Sequence, residues 1–228
     1  MAQVDHETWY FDLDGTLVEY DVPFSVVYET ALERLGVEPG DEGVFSETFF
    51  HVIGEVENPL ATAIAATDID VDPGAFSESM AATERDHVRA RPAGEEILEA
   101  LSKTHRLGVL TNGLGRIQRG KLEKSGLAPY FDTIVVASEV GAWKPDSEIY
   151  RIAEDRLPGA SYTFVADDLE RDLLPALERG WRGIHLDLNR SVDSNGRPVG
   201  DGNAVTTGSA GTLETITDLH ELRVGPHR

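Results

Sequence analysis

Residues 106–137, RLGVLTNGLGRIQRGKLEKSGLAPYFDTIVVA, read as a strand, a helix and a second strand in immediate succession. Arg106 to Thr111 is a short apolar run of strand length. Leu114 to Ser125 is helical and stops at Gly126. Thr133 to Ala137 is rich in β-branched residues. Two strands joined through a helix run parallel, and the helix covers one face of their sheet.

The pattern repeats outward. Downstream lie a helix over Ser147 to Arg156, a strand over Tyr162 to Ala166, a helix over Leu169 to Arg179 ending at Gly180, and a strand over Gly183 to Leu188. Pro175 is expected to kink that last helix or delay its start. Residues 190–211 form a polar loop, and Leu213 to Leu222 suits a final strand. Upstream, Ala93 to Thr104 is helical and Thr8 to Phe11 is a buried strand. Between them, residues 18–90 contain no strong strand. Helical stretches run over residues 23–37, Glu42 to Val56 and Asp72 to Arg91, with Pro73 at a plausible helix start. The expected fold is α/β: a parallel-sheet core over 1–17 and 92–228, interrupted after its first strand by a helical insertion over 18–91. Such an insertion is placed to be a lid, because open α/β sheets bind ligands beyond the C-terminal ends of their strands.

Composition narrows the function. The net charge is −21, with only four lysines, Lys103, Lys121, Lys124 and Lys144, so nucleic acid is excluded as a partner. No apolar run reaches the roughly 20 residues of a membrane span. The N-terminus lacks the basic-then-apolar pattern of a secretory signal, so a cytoplasmic location is expected. With no cysteine, thiolate chemistry is excluded. Acid-rich, Lys-poor surfaces fit a high-salt, halophilic cytoplasm; an acidic surface kept for solubility is the other reading.

Four segments carry chemistry. Asp12-Leu13-Asp14-Gly15-Thr16 follows the first strand, and period-2 geometry sends Asp12 and Asp14 the same way while the strand lasts. Two close carboxylates both ionise only if a cation or donor compensates. Thr111-Asn112-Gly113 ends the second core strand, where a hydroxyl and backbone N–H groups suit phosphate. Lys144, held by Pro145, follows the third. Asp167, Asp168 and Asp172 follow the fourth, and Mg²⁺ is commonly held by one or two carboxylates. Taken singly, these are also explained by an Asp-Gly turn, an Asn-Gly loop, a surface lysine and a helix N-cap. What they share is location, each at the C-terminal end of a successive core strand.

In that order and spacing, over residues 8–188, the chain resembles the haloacid dehalogenase superfamily of hydrolases. The DxDGT pattern is Asp12 to Thr16, the Thr motif is Thr111, the Lys motif is Lys144, and the GDxxxxD pattern is Ala166-Asp167 to Asp172, with Ala166 in place of the usual glycine. Leu110 to Ile149 is similar to nucleotidase- and phosphoglycolate-phosphatase-like members. The resemblance implies a Rossmann-like core with a helical cap of the first type, and a Mg²⁺-dependent phosphatase acting on a small phosphate monoester. It implies roles as well: Asp12 as nucleophile, Asp14 as general acid and base, Thr111 and Asn112 holding the phosphoryl group, and Lys144 neutralising charge beside Asp12. Asp12, Asp167 and the Asp14 carbonyl would hold Mg²⁺, with Asp168 and Asp172 supporting them.

Alternatives are a 2-haloacid dehalogenase, which has no alkoxide to protonate and generally lacks the second Asp and the metal, a phosphonatase or phosphomutase, and a phosphate-sensing or receiver-like regulator. A phosphonatase that uses a Schiff-base lysine in its cap is opposed by the absence of Lys from residues 18–90. A receiver domain carries its acceptor Asp on the third strand, not the first. Substrate choice is expected to reside in the cap, with Tyr20, Phe24, His51 and Arg89 as candidate lining residues. His51, His87, His105 and His185 read as structural or surface residues.

Overall fold

The computed structural model describes residues 6–188, 205–206 and 211–222. Its centre is β1 (Glu7–Phe11), in which every residue after Glu7 is buried. Burial on both faces is what a central parallel strand requires. Alternation then splits the core in two. Trp9 and Phe11 enter one apolar cluster with Leu107, Val109 and Val165, while Tyr10 points into the other with Leu110, Phe164 and Trp181.

After β1 the chain forms β2 (Val18–Tyr20) and then four helices, α1 (Phe24–Glu33), α2 (Glu42–Val52), α3 (Pro59–Ala65) and α4 (Pro73–His87). It returns through β3 (Val88–Ala90), which pairs antiparallel with β2. Asp41, Asn58 and Asp72 cap α2, α3 and α4 with their side chains, and Pro59 and Pro73 sit in first turns, where a missing N–H costs nothing. These helices share their own apolar cluster, built on Tyr28, Leu32, Phe45, Ile64, Phe76 and Met80.

The β2–β3 ribbon corrects two expectations. Residues 18–90 do contain strands, and the helix expected to reach Arg91 ends at His87. The chain leaves and re-enters the core at neighbouring points, and pairing the two extended segments satisfies backbone groups there; the Asp21 N–H donates to the His87 carbonyl at 3.0 Å.

The core continues through α5 (Gly94–Ser102), β4 (Arg106–Thr111), α6 (Gly115–Lys124), β5 (Thr133–Val136), α7 (Ala137–Val140), α8 (Ser147–Arg156), β6 (Ser161–Ala166), α9 (Leu174–Glu178), β7 (Arg182–Leu186), β8 (Val205–Thr206) and β9 (Thr212–Ile216). Among the described residues the sheet order is β5-β4-β1-β6-β7-β9-β8, parallel except for β8. The expected helix from Leu169 is in fact a wide π-type turn over Leu169–Leu173 followed by α9, with Pro175 in the first turn of α9. Apart from β8 and Gly211, the expected polar loop at 190–211 lies outside the described residues. The last strand ends at Ile216 rather than Leu222.

This topology places a site. From β1 the chain builds outward through β4 and β5, then crosses back to β6 on the other side of β1. That reversal opens a crevice beyond the C-terminal ends of β1, β4, β5 and β6.

Candidate active site

Asp12 follows β1 directly and is buried, its backbone N–H donating to the Val165 carbonyl of β6 at 2.9 Å. Its carboxylate meets Lys144 Nζ at 2.7 Å, and the same ammonium meets Asp172 at 2.9 Å. Lys144 itself is 3% exposed. Burial opposes its charge, but Asp12 and Asp172 outweigh burial and hold its pKa above the ordinary value. Asn112 aims Lys144 by clamping its backbone from both sides: Oδ1 accepts from the Lys144 N–H at 2.9 Å and Nδ2 donates to the Lys144 carbonyl at 3.0 Å. The Asn112 side chain is thus engaged with the protein, not turned to a ligand.

Asp167 is held by Thr16. The Thr16 hydroxyl donates to Asp167 Oδ1 at 3.1 Å and accepts from the Asp167 N–H at 3.0 Å. Between Asp14 and Thr16, Gly15 has φ +80°, and a Cβ there would lie 2.2 Å from Asp167 Oδ2. Only glycine allows both that turn and that approach.

Asp12, Asp167 and Asp172 form a cluster whose ligand oxygens all lie within 4.8 Å of one another. Burial pushes Asp12 up to about 6, and Asp172 and Asp167 also titrate above their ordinary values, chiefly through burial. Asp172 Oδ1 is buried and accepts no hydrogen bond; the Arg171 Nε lies 3.6 Å from it. Three converging carboxylates with one ammonium and one orphaned oxygen are short of positive charge. All-oxygen donors of this kind fit a hard divalent cation. Asp168 does not join them. It caps the following turn, accepting from the Arg171 N–H at 2.8 Å.

Two residues beyond Asp12, Asp14 Oδ2 accepts from Gln118 Nε2 at 2.7 Å and Oδ1 meets Lys121 Nζ at 2.9 Å. Burial raises the Asp14 pKa, but Lys121 and Gln118 outweigh it and leave the carboxyl below its ordinary value. Gln118 Nε2 also lies 2.9 Å from the Thr111 hydroxyl and 3.0 Å from the Asn112 carbonyl. Three acceptors compete for its two hydrogens. Asp12, Asp14, Thr111, Asn112 and Lys144 all line one cavity of about 330 Å³.

A family model described as haloacid dehalogenase-like hydrolase matches residues 10–184. The chain belongs to the haloacid dehalogenase-like hydrolases. It is 29% identical over 198 residues to the pyrimidine 5'-nucleotidase YjjG of Escherichia coli, covering 86% of this chain and 67% of that one. It is similar to a solved HAD-hydrolase from Bacillus subtilis, YfnB bound to magnesium, with a TM-score of 0.65 and 18% identity over 96% of this chain and 97% of that one. A 2-haloacid dehalogenase from Pseudomonas syringae is 26% identical with a TM-score of 0.61, covering 85% of this chain and 92% of that one.

In this haloacid dehalogenase-like hydrolase, sequence reasoning missed Gln118, Lys121 and Glu84. Lys121 Nζ meets Glu84 of α4 at 2.8 Å, and the Tyr20 hydroxyl donates to the same Glu84 carboxylate. A signal existed. Ile117, Gln118, Lys121 and Leu122 make the buried stripe of α6, and Phe76, Met80, Thr83 and Glu84 that of α4. Polar residues on a buried stripe demand partners. Of the expected cap residues, Tyr20 and Phe24 line the cavity, whereas Arg89 pairs with Glu19 at 3.1 Å and His51 is exposed. His87 lies 3.0 Å from Asp21, and His185 Nε2 lies 3.0 Å from the Asp167 carbonyl oxygen.

Proposed function

We propose that this chain is a Mg²⁺-dependent phosphatase that hydrolyses a small phosphate monoester through an aspartyl-phosphate on Asp12. One observation carries the reading: Asp14 lines the cavity beside Asp12, with donors on both of its oxygens. A dehalogenase displaces halide, which needs no proton, and leaves that second carboxylate without a task.

The Asp12 oxygen not held by Lys144 attacks phosphorus, and the bond from phosphorus to the ester oxygen breaks. The departing alkoxide takes a proton from Asp14. A phosphate dianion entering the cavity raises the Asp14 pKa by like charge, which provides the protonated form. Asp14, now ionised, takes a proton from water as that water attacks the acyl-phosphate. The bond from phosphorus to Asp12 breaks, releasing inorganic phosphate and leaving Asp12 as a carboxylate and Asp14 again carrying a proton. Thr111 and the backbone N–H groups after it orient the phosphoryl oxygens, and Lys144 offsets repulsion between Asp12 and the phosphate.

Mg²⁺ would be held by Asp12, Asp167 and the Asp14 backbone carbonyl, with Asp172 beside them. When bound, it supplies charge neutralisation at the transferring phosphoryl group. Residues 18–91 act as a cap over a core of 1–17 and 92–228, and the enzyme works in a cytoplasm of high salt.

Phosphate release from p-nitrophenyl phosphate in high salt tests this, with Mg²⁺ or EDTA, for wild type and Asp12→Asn. Mg²⁺-dependent release lowered about 10⁴-fold or more by the substitution is expected. Release that survives Asp12→Asn would overturn the Asp12 mechanism.

A further inference from the structure

The apolar part of the cavity lining comes largely from the insertion: Phe24, Phe49, Phe50, Ile53 and Leu60, joined by Ile117 of α6. Phe49 is braced by stacking on Phe45, with ring centroids 6.1 Å apart, and Phe50 meets Phe49 edge-on at 5.5 Å. Phe50 is nevertheless 68% exposed. A large ring left in water at the mouth of a catalytic cavity is stabilised by whatever covers it.

The charges lining the cavity say what that occupant is not. Its cations are Lys121, Lys144 and Arg171. Lys121 is shared by Asp14 and Glu84, Lys144 by Asp12 and Asp172, and Arg171 pairs with Asp168 at 3.2 Å. Among the described residues, no lining cation is left over for a second anionic group. A carboxylate or second phosphate on the leaving group would face Asp14, Glu84 and a wall of hydrocarbon, and burying it there without a partner is unfavourable.

Building on the phosphatase reading, we infer that the leaving group is an uncharged alcohol bearing a flat ring that packs on Phe50 and Phe49, the chemistry of a nucleoside 5'-monophosphate, and that carboxylated and bisphosphorylated esters are rejected. The cavity, at about 330 Å³, is in the size range of small-ligand sites. Aromatic rings prefer offset or edge-on partners, and among the described residues the ring that meets Phe50 is that of Phe49.

The test compares uridine 5'-monophosphate, ribose 5-phosphate and 2-phosphoglycolate with Mg²⁺ in high salt, for wild type, Phe50→Ala and Phe50→Leu. In wild type, kcat/KM for the nucleotide is expected to exceed that for either other ester by about tenfold or more. Both variants, altered at an exposed position, should raise KM for the nucleotide about tenfold at nearly constant kcat and leave ribose 5-phosphate unchanged. Preference for 2-phosphoglycolate or ribose 5-phosphate, or a loss that is equal for all three esters, would overturn the inference. Calorimetric binding of the same three esters to Asp12→Asn separates this from the chemistry. If nothing is hydrolysed but the nucleotide binds at least tenfold tighter and Phe50→Ala removes the difference, the ring pocket stands and the phosphatase reading falls. If esters are hydrolysed but the nucleotide binds no better, the reverse holds.

Discussion

Lys121 Nζ lies 2.8 Å from Glu84 on α4 and 2.9 Å from Asp14 beyond β1, so the insertion and the core share one buried ammonium. The Lys121 and Glu84 side chains are 5% and 9% exposed. Lys121→Met would strand Glu84 with only the Tyr20 hydroxyl. It is expected to destabilise the protein by about 3 kcal/mol or more, read from urea unfolding, while Glu84→Gln does less because Asp14 still pairs with Lys121.

The same ammonium sets the charge of Asp14. In metal-free protein, the Asp14 carboxyl titrates below its ordinary 3.8, because Lys121 and Gln118 together outweigh burial. Folded Asp14 therefore binds its proton less readily than unfolded Asp14. Its contribution to stability is full above that ordinary value and is lost as pH falls through the lower folded value. Carboxyl-carbon NMR should put the Asp14 midpoint under 3.8 in wild type and higher in Lys121→Met. An unmoved midpoint would refute the coupling.

Gly15→Ala places a methyl 2.2 Å from Asp167 Oδ2, at a φ of +80°. Strain of about 1–3 kcal/mol is expected. Because Asp167 must move, Mg²⁺ affinity measured by calorimetry should fall about 10–100-fold. Normal metal binding in a destabilised variant would mean that Asp167 is not a ligand.

Adding Mg²⁺ to metal-free protein should raise Tm. At about 100 times Kd the gain is about 2.7 kcal/mol. Asp167→Asn should abolish that rise, whereas Asp168→Asn, which keeps the Oδ1 acceptor of the turn cap, should keep it with little change of basal stability. Equal loss of the rise in both variants would place the metal elsewhere.

Self-repulsion at a net charge of −21 is relieved by screening, which reaches only about 10 Å at 0.1 M salt and about 3 Å at 1 M. Tm should therefore climb between about 0.1 and 1 M KCl. A flat profile would remove the high-salt reading.

The parts of the fold that were legible in the sequence are those written in local periodicity. The continuous apolar runs of β1, β4 and β6 announce strands buried on both faces, and the helices between them announce a parallel sheet. Asp12, Thr111 and Asp167 stand out because each ends or follows one of those runs, and Lys144 because it follows the β-branched run of β5. The β2–β3 ribbon was illegible because each strand has three residues and neither shows a burial pattern of its own. Gln118, Lys121 and Glu84 were overlooked for a different reason: their meaning depends on partners brought together only by folding, with Glu84 37 positions before Lys121 and Asp14 107 before it. Asp168 and Asp172 show the converse. Spacing treats them alike, yet the wide turn at Leu169–Leu173 leaves the first at the surface as a cap and turns the second, fully buried, toward Lys144.

The aromatic wall and the buried ammonium reach the cavity on different helices. Phe49 and Phe50 ride on α2, whereas Glu84, which meets Lys121, rides on α4 beside the ribbon stem. The first can be rebuilt without disturbing the second so long as Phe45, which packs on Phe76 of α4 with ring centroids 5.3 Å apart, is kept. A chimera that exchanges Glu47 through Ile53 for a foreign segment, while Phe45, α4 and both ribbon strands stay native, would keep the Glu84–Lys121 bridge and the acidic machinery beneath it. On the proposed reading the insertion is two devices on one stem: a replaceable reader of the leaving group, and a fixed clasp that keeps the reacting groups aligned whatever is being read.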